Sequence, residues 1–184
     1  MSPFEIILLG LFALMAFSII YSTLAVGISP MPSSGKARRA MLALCEKTGT
    51  GEILDFGCGW GHFVIAAAKT FPHRKITGYE LSWVPYLTAC LLKLIFKLDN
   101  LTLKRADFLT AELGSASVLV CYLYPGAMKA ITNKLATDKH HISYIISNNF
   151  ACPTLSPEET LQLDDFYRSP VYLYHIEKQQ LNVS

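Results

Sequence analysis

The stretch Glu52-Ile53-Leu54-Asp55-Phe56-Gly57-Cys58-Gly59-Trp60-Gly61 decides the fold. Ile53 to Phe56 is a short apolar run carrying one carboxylate, the pattern of a parallel strand buried on both faces. Glycines follow at alternate positions, and then an Ala-rich helical pattern from His62 to Thr70. Strand, glycine turn and helix together predict a ligand-binding βα unit. The glycines permit positive φ and let a ligand lie against bare backbone. The helix start behind the turn offers unpaired N–H groups to an anionic group.

Downstream the same alternation repeats. Lys75 to Glu80 reads as a second strand ending in a carboxylate, and Leu101 to Ala106 as a third, ending at Asp107-Phe108. Ser117 to Tyr124 is a fourth strand, stopped by Pro125-Gly126, and Ile142 to Ser147 a fifth. Helices are expected at Tyr86 to Leu98, Ala127 to Thr137 and, in short form, Ser156 to Leu163, where Pro157 suits a first turn. Val171 to Ile176 is the last strand. Strands alternating with helices predict an α/β domain with a parallel sheet covered on both faces. The helix Tyr86 to Leu98 is apolar nearly all round, with Lys93 and Lys97 on one side. Such a face suits a membrane surface; packing against the sheet is the commoner arrangement, and we expect it here.

Upstream, Lys36 to Lys47 has apolar residues at helical spacing (Ala37, Ala40, Met41, Leu44, Cys45), with Ser33 or Ser34 as its cap. Ser29 to Gly35, with two prolines, is a linker. Before it, Phe4 to Ile28 is an apolar run of bilayer-spanning length whose only charge is Glu5. It lacks the basic n-region of a cleavable signal. We therefore expect a retained transmembrane anchor over residues 1–28, a linker over 29–35 and a globular domain over 36–184. Lys36, Arg38 and Arg39 follow the anchor and no basic residue precedes it, which puts the domain on the cytoplasmic side.

Composition narrows the function. The chain has 184 residues, 52% of them hydrophobic, and a net charge of only +2, which gives no argument for nucleic-acid binding. Its five cysteines are scattered, without metal-ligand spacing, and read as buried apolar residues. A dinucleotide turn wants a third glycine where His62 stands, and no Gly-Lys-Ser/Thr follows for a P-loop.

The chemistry of the strand ends is more specific. A carboxylate at Glu80 can accept from both hydroxyls of a ribose. Asp107 and Asp55 also stand at strand ends, and Phe108 sets an aromatic ring beside the third strand.

The spacing D-x-G-x-G-x-G with an acidic residue closing the next strand resembles motif I of the class I S-adenosylmethionine-dependent methyltransferases, over about Gly51 to Ala151. The anchor, the Pro30-Met31-Pro32-Ser33-Ser34 linker, Gly78-Tyr79-Glu80-Leu81 with Trp83, the Tyr-Pro after the fourth strand and the late Val171-Tyr172-Leu173-Tyr174 are similar to the membrane-anchored ATP synthase c-subunit lysine methyltransferase family and its bacterial relatives. The resemblance implies a Rossmann-like, doubly wound, mostly parallel sheet behind one transmembrane helix. The fold is shortened at the C-terminus, with one strand after the fifth where the full fold has two. It implies S-adenosyl-L-methionine as cofactor, bound through Asp55, Gly57, Cys58, Gly59, Gly61, Glu80, Leu81, Asp107, Phe108 and, from the linker, Ser34. Tyr122, Tyr124 and Pro125 take the acceptor side. It further implies in-line transfer to a protein lysine of a membrane-embedded or membrane-adjacent partner, without metal or nucleic acid. Two alternatives accompany it: a lipid or quinone-like acceptor, or a non-catalytic adaptor that keeps the fold. Trp60 departs from the acidic or polar residue common at that point of the motif.

Overall fold

A computed structural model describes residues 2–10, 12, 13 and 33–176. The chain folds as α1 (Gly35–Glu46), β1 (Ile53–Phe56), α2 (His62–Thr70), β2 (Ile76–Tyr79), α3 (Trp83–Phe96) and β3 (Leu101–Lys104). A 3₁₀ turn (Phe108–Thr110), β4 (Val118–Cys121), α4 (Pro125–Thr137), β5 (Tyr144–Asn148), β6 (Glu159–Gln162) and β7 (Pro170–His175) complete it. Residues 3–10 are helical and present Phe4, Ile6 and Leu9 to solvent. Most of the anchor expected at 4–28 lies outside the described residues, as does the linker up to Pro32. Among the described residues no helix is long and apolar enough to cross a membrane.

The sheet order is β3-β2-β1-β4-β5-β7-β6. The first five strands are parallel, and β7 runs antiparallel to both β5 and β6. The mostly parallel, doubly wound sheet is as expected. The order reverses between β1 and β4, so the crevice at their carboxyl ends is where a ligand belongs.

Alternation along the central strands feeds two cores. Ile53, Val118, Val120 and Ile146 point to one face, with Ala37, Met41, Leu44 and Cys45 of α1 and Phe63, Val64 and Ala67 of α2. Leu54, Phe56, Leu119, Cys121 and Ile145 point to the other, covered by Ala127, Met128, Ile131 and Leu135 of α4. Buried Arg74 ties the first layer together. Its Nε donates to the Gly51 carbonyl at 2.7 Å and its Nη1 to the Cys45 carbonyl at 2.9 Å, so the end of α1 and the approach to β1 share one cation.

Three expectations need correction. Residues 159–162 form an edge strand, with Glu159 opposite Leu173 and Gln162 opposite Pro170, in place of the expected helix from Ser156 to Leu163. So short a helix is marginal alone, whereas an edge strand has its backbone groups satisfied by the ladder with β7. Two strands therefore follow β5, and the sheet is not shortened at the C-terminus. Pro125 begins α4 rather than standing as a stop before it, because a first-turn proline loses no helical hydrogen bond. Finally, α3 starts at Trp83 rather than Tyr86; it packs on α2 and β3, burying Pro85 and Ala89, but leaves Trp83, Leu87, Leu91, Leu94, Ile95 and Phe96 in solvent.

Candidate active site

The glycine turn is built by backbone geometry. Gly57, Gly59 and Gly61 have φ of +76°, +52° and +82°. The N–H groups of Gly57 and Cys58 both donate to the Tyr79 carbonyl, at 3.0 and 2.9 Å, which folds the turn against the end of β2. Gly61 is the residue before α2, and a Cβ there would lie 2.9 Å from Cβ of Ala89, so its bareness lets α3 approach α2. At Gly59 an added Cβ would meet only the Gly57 carbonyl oxygen, at 4.0 Å. That open cradle is where a ligand can lie on the backbone.

Glu80 braces the cradle. Its Oε2 accepts the Gly59 N–H at 2.9 Å and its Oε1 accepts the Ser82 N–H at 2.7 Å. Each carboxylate oxygen keeps acceptor capacity for a further donor such as a ribose hydroxyl. Leu81, beside it, is exposed.

Asp55 is 5% exposed at the middle of the sheet, opposite Gly78 of β2 and Val120 of β4. Burial, and then the charge of Glu80, push its carboxyl up to about 8. An arriving ammonium reverses both effects. The Cys58 thiol sits beneath Gly78, whose absent Cβ would lie 2.9 Å from its Sγ. Burial, then Asp55 and Glu80, push the thiol up, which keeps it a packed neutral group rather than a nucleophile.

Asp107 caps the 3₁₀ turn, accepting the Leu109 N–H on Oδ1 at 2.9 Å. Phe108 stacks on Phe56 with ring centroids 5.4 Å apart, so one of its faces is already occupied. Ser34 caps α1, accepting the Ala37 N–H at 3.1 Å. The first turn of α1 also approaches α2: the Arg38 charge adds to partial burial in lowering the His62 imidazole.

The residues after β4 divide. Tyr122 stacks on Phe150, with centroids 6.2 Å apart. Tyr124 leans on the α4-side core and lies over Gly126. Pro125 is exposed at the start of α4.

The structure adds Asn148, which the sequence offered only as the exit of a strand. It ends β5, is 4% exposed, and its Oδ1 has no hydrogen-bond partner among the described residues. The backbone there is tightly held. Asn149 adopts φ +70° and donates to the Pro170 carbonyl at 2.8 Å, and the Phe150 N–H returns to the Asn148 carbonyl at 2.9 Å. A buried carbonyl oxygen without a donor is costly unless a ligand supplies one. Because Cys121 pairs with Ser147, Asn148 stands level with Tyr122. Among the described residues no group of three or more His, Cys, Asp or Glu side chains has the arrangement to hold a metal ion.

A parallel five-strand core with a switch between β1 and β4, an antiparallel β7, a glycine turn after β1 and an acid closing β2 define a class I S-adenosylmethionine-dependent methyltransferase. The sequence matches the ANTKMT methyltransferase domain over residues 55–159, and the chain belongs to that family. A protein-lysine N-methyltransferase of Saccharolobus islandicus is 25% identical over 150 residues, 79% of this chain and 92% of that protein. Among solved structures, an RNA methyltransferase of Salinibacter ruber, in complex with S-adenosyl-L-homocysteine, shares the fold with a TM-score of 0.70. It is 23% identical and covers 83% of this chain and 100% of its own. A putative methyltransferase of Escherichia coli gives a TM-score of 0.64 at 14% identity, covering 81% of this chain and 89% of its own.

Proposed function

We propose that this methyltransferase modifies the side-chain amine of a lysine in a protein that lies in or beside a membrane. The observation that carries the amine acceptor is Asn148, whose buried Oδ1 lacks a donor among the described residues, next to the stacked Tyr122–Phe150 pair. An amine supplies that donor, and the two rings offer faces that hold a cationic or desolvated nitrogen. The Saccharolobus relative, a protein-lysine N-methyltransferase, supports the same substrate class.

The cofactor contacts follow the strand ends. The glycine cradle takes the methionyl carboxylate, Asp55 its ammonium, and Glu80 the ribose. Asp107 and the free face of Phe108 take the adenine, next to Leu81. When bound, S-adenosylmethionine supplies a methyl group already activated on sulfur, so the chain's task is alignment and exclusion of water. Lysine must also lose its proton, which a desolvated site favours. Ser34 closes the site from the linker side.

Membrane attachment rests on the apolar run Phe4 to Ile28, and a cytoplasmic orientation rests on the basic residues that follow it. The exposed apolar surface of α3 favours a second reading, in which the acceptor is a lipid or quinone-like molecule. The adaptor alternative loses one of its grounds, since the seven-stranded sheet is complete. Membranes from cells lacking the gene, incubated with purified protein and labelled cofactor, separate the two acceptors. Label in one protein band, with a methyl-mass increment on a lysine peptide, is the expected result. Label confined to extractable lipid overturns the protein acceptor.

A further inference from the structure

Within residues 33–176, α3 carries the longest run of exposed apolar side chains. Trp83, Leu87, Leu91, Leu94 and Ile95 are 55–74% exposed. At roughly 100° per residue these five positions fall within an arc of about 120°. They therefore make one continuous apolar stripe along the helix, opposite Pro85 and Ala89, which face the fold. Isolated exposed leucines are ordinary; a full stripe of them marks an interaction surface.

The charges around the stripe name its partner. No Asp or Glu occurs from Leu81 to Leu98. Lys97 borders the stripe at the end of the helix, while Lys93 lies further round, toward Ala89. Arg105 stacks its guanidinium 4.0 Å over Trp83 and donates to the Leu81 carbonyl at 3.2 Å. An indole at one end, a leucine stripe along the middle and cations on the flanks are what an anionic bilayer surface selects. The chain's own apolar run, Phe4 to Ile28, is a poorer match, because its only charge, Glu5, is a single carboxylate for the cations beside the stripe.

We infer that α3 lies on the surface of a bilayer containing anionic lipid, with the leucine stripe in the headgroup–acyl boundary and Lys97 and Arg105 facing lipid phosphates. This contact is separate from any anchor in Phe4 to Ile28 and does not depend on the methyltransferase reading. It has a geometric consequence. The Trp83 end of α3 follows directly on Glu80 and Ser82, the hydrogen-bonded brace of the glycine turn. A bilayer under α3 thus holds the cofactor edge of the sheet next to the membrane plane.

Sedimentation with vesicles does not test this, since the apolar N-terminal run holds the full chain to lipid by itself. Trp83 fluorescence does. The sequence has two tryptophans, so Trp60→Phe leaves Trp83 as the sole reporter. In full-length protein on phosphatidylglycerol-containing vesicles, brominated acyl chains are expected to quench Trp83 about twofold or more, with a blue-shifted emission. Quenching falls in purely zwitterionic vesicles and in Lys97→Glu, and disappears in Leu87→Glu/Leu91→Glu/Leu94→Glu. Equal Trp83 emission in brominated and plain vesicles, with the chain bound, overturns the proposal and assigns the stripe to a protein partner or to the chain's own N-terminal run. Hydrogen exchange on the unsubstituted chain is the second measure, needed if Trp60→Phe fails to fold. The amides of residues 83–96 gain protection on anionic vesicles, and unchanged exchange there also overturns the proposal. Calorimetry with S-adenosylmethionine on the same preparation reads the methyltransferase function independently.

Discussion

Glu80 accepts the N–H of Gly59 at 2.9 Å, across the turn that the carboxylate closes. The same side chain accepts from Ser82, so one residue sets both the shape of the glycine cradle and the direction of the chain entering α3. Replacing it removes two charge-assisted hydrogen bonds, each contributing about 1.5–3 kcal/mol where desolvated. Glu80→Ala is expected to lower stability by about 3–6 kcal/mol, read by urea denaturation. Cofactor affinity should fall at least about tenfold by calorimetry, the order expected for losing one such bond to a ligand. Glu80→Gln keeps one acceptor, so it should lose less stability than Glu80→Ala while still losing affinity.

If Asp55 meets the cofactor's ammonium as proposed, cofactor binding is expected to depend on pH. The Asp55 carboxyl is raised from 3.8 to about 8, so the free protein holds a proton there at neutral pH. A cationic ligand group prefers the ionised form, and binding must release that proton. Affinity therefore rises as pH increases from 6 toward 8, by up to about tenfold per unit, and levels off above the folded pKa. Calorimetry in buffers of different ionisation enthalpy should show protons released. The sign for stability is the reverse. The native state binds a proton that the unfolded chain releases, so this residue's contribution is present below about pH 4 and is lost as pH rises through about 8. Asp55→Asn is expected to be more stable than the wild type at pH 8, to bind cofactor poorly, and to lose the pH dependence.

Gly61 is a steric requirement as well as a conformational one. An alanine there takes a left-handed φ of +82° and sets its Cβ 2.9 Å from that of Ala89. The backbone cost is about 1–2 kcal/mol and the overlap adds about 1–3 kcal/mol. Gly61→Ala should lower Tm by roughly 5–15 °C for a domain of this size. The same substitution in an Ala89→Gly background should cost less, because only the overlap is relieved. Equal costs in the two backgrounds would show that the helix contact does not matter.

Much of this was readable from local sequence, and the exceptions share a cause. The glycine turn, α2 and the parallel strands are set by short-range periodicity and by Gly and Pro punctuation, which act within a few residues. The carboxylates at positions 55, 80 and 107 stood out because each closes or interrupts an apolar run. β6 did not, because four residues beginning at Glu159 and preceded by Pro157 and Glu158 look helical until the ladder to β7 exists. Arg74, between α2 and β2, gives no local sign of being an internal brace, because its carbonyl partners lie 23 and 29 residues away. The bareness of α3 was equally hidden, since a strongly apolar helix looks like core, and only the packing shows that Ala89 alone of its middle turns is fully buried. Asn148 belongs to the same group, and no local signal distinguishes a buried strand-end asparagine from a solvated one.

That last residue separates function from stability most cleanly. Its Oδ1 is buried without a donor among the described residues, a desolvation cost that an apolar side chain of similar shape would not carry. Asn148→Leu is therefore expected to leave stability unchanged or to raise it, by up to about 1–2 kcal/mol. Cofactor affinity should stay within about twofold of wild type, since the cradle and its Glu80 brace are untouched. Methyl transfer to the acceptor should fall by about 10–100-fold, the cost of losing a buried hydrogen bond to the reacting amine. Asn148→Ser, which restores a small oxygen, should recover part of that loss at high acceptor concentration. Three measurements on one preparation decide the matter: a urea midpoint, a calorimetric titration and a labelled-methyl assay. A destabilised Asn148→Leu with unimpaired transfer would show that the asparagine serves the fold. A stable, cofactor-binding and slow variant would place its carbonyl oxygen on the acceptor.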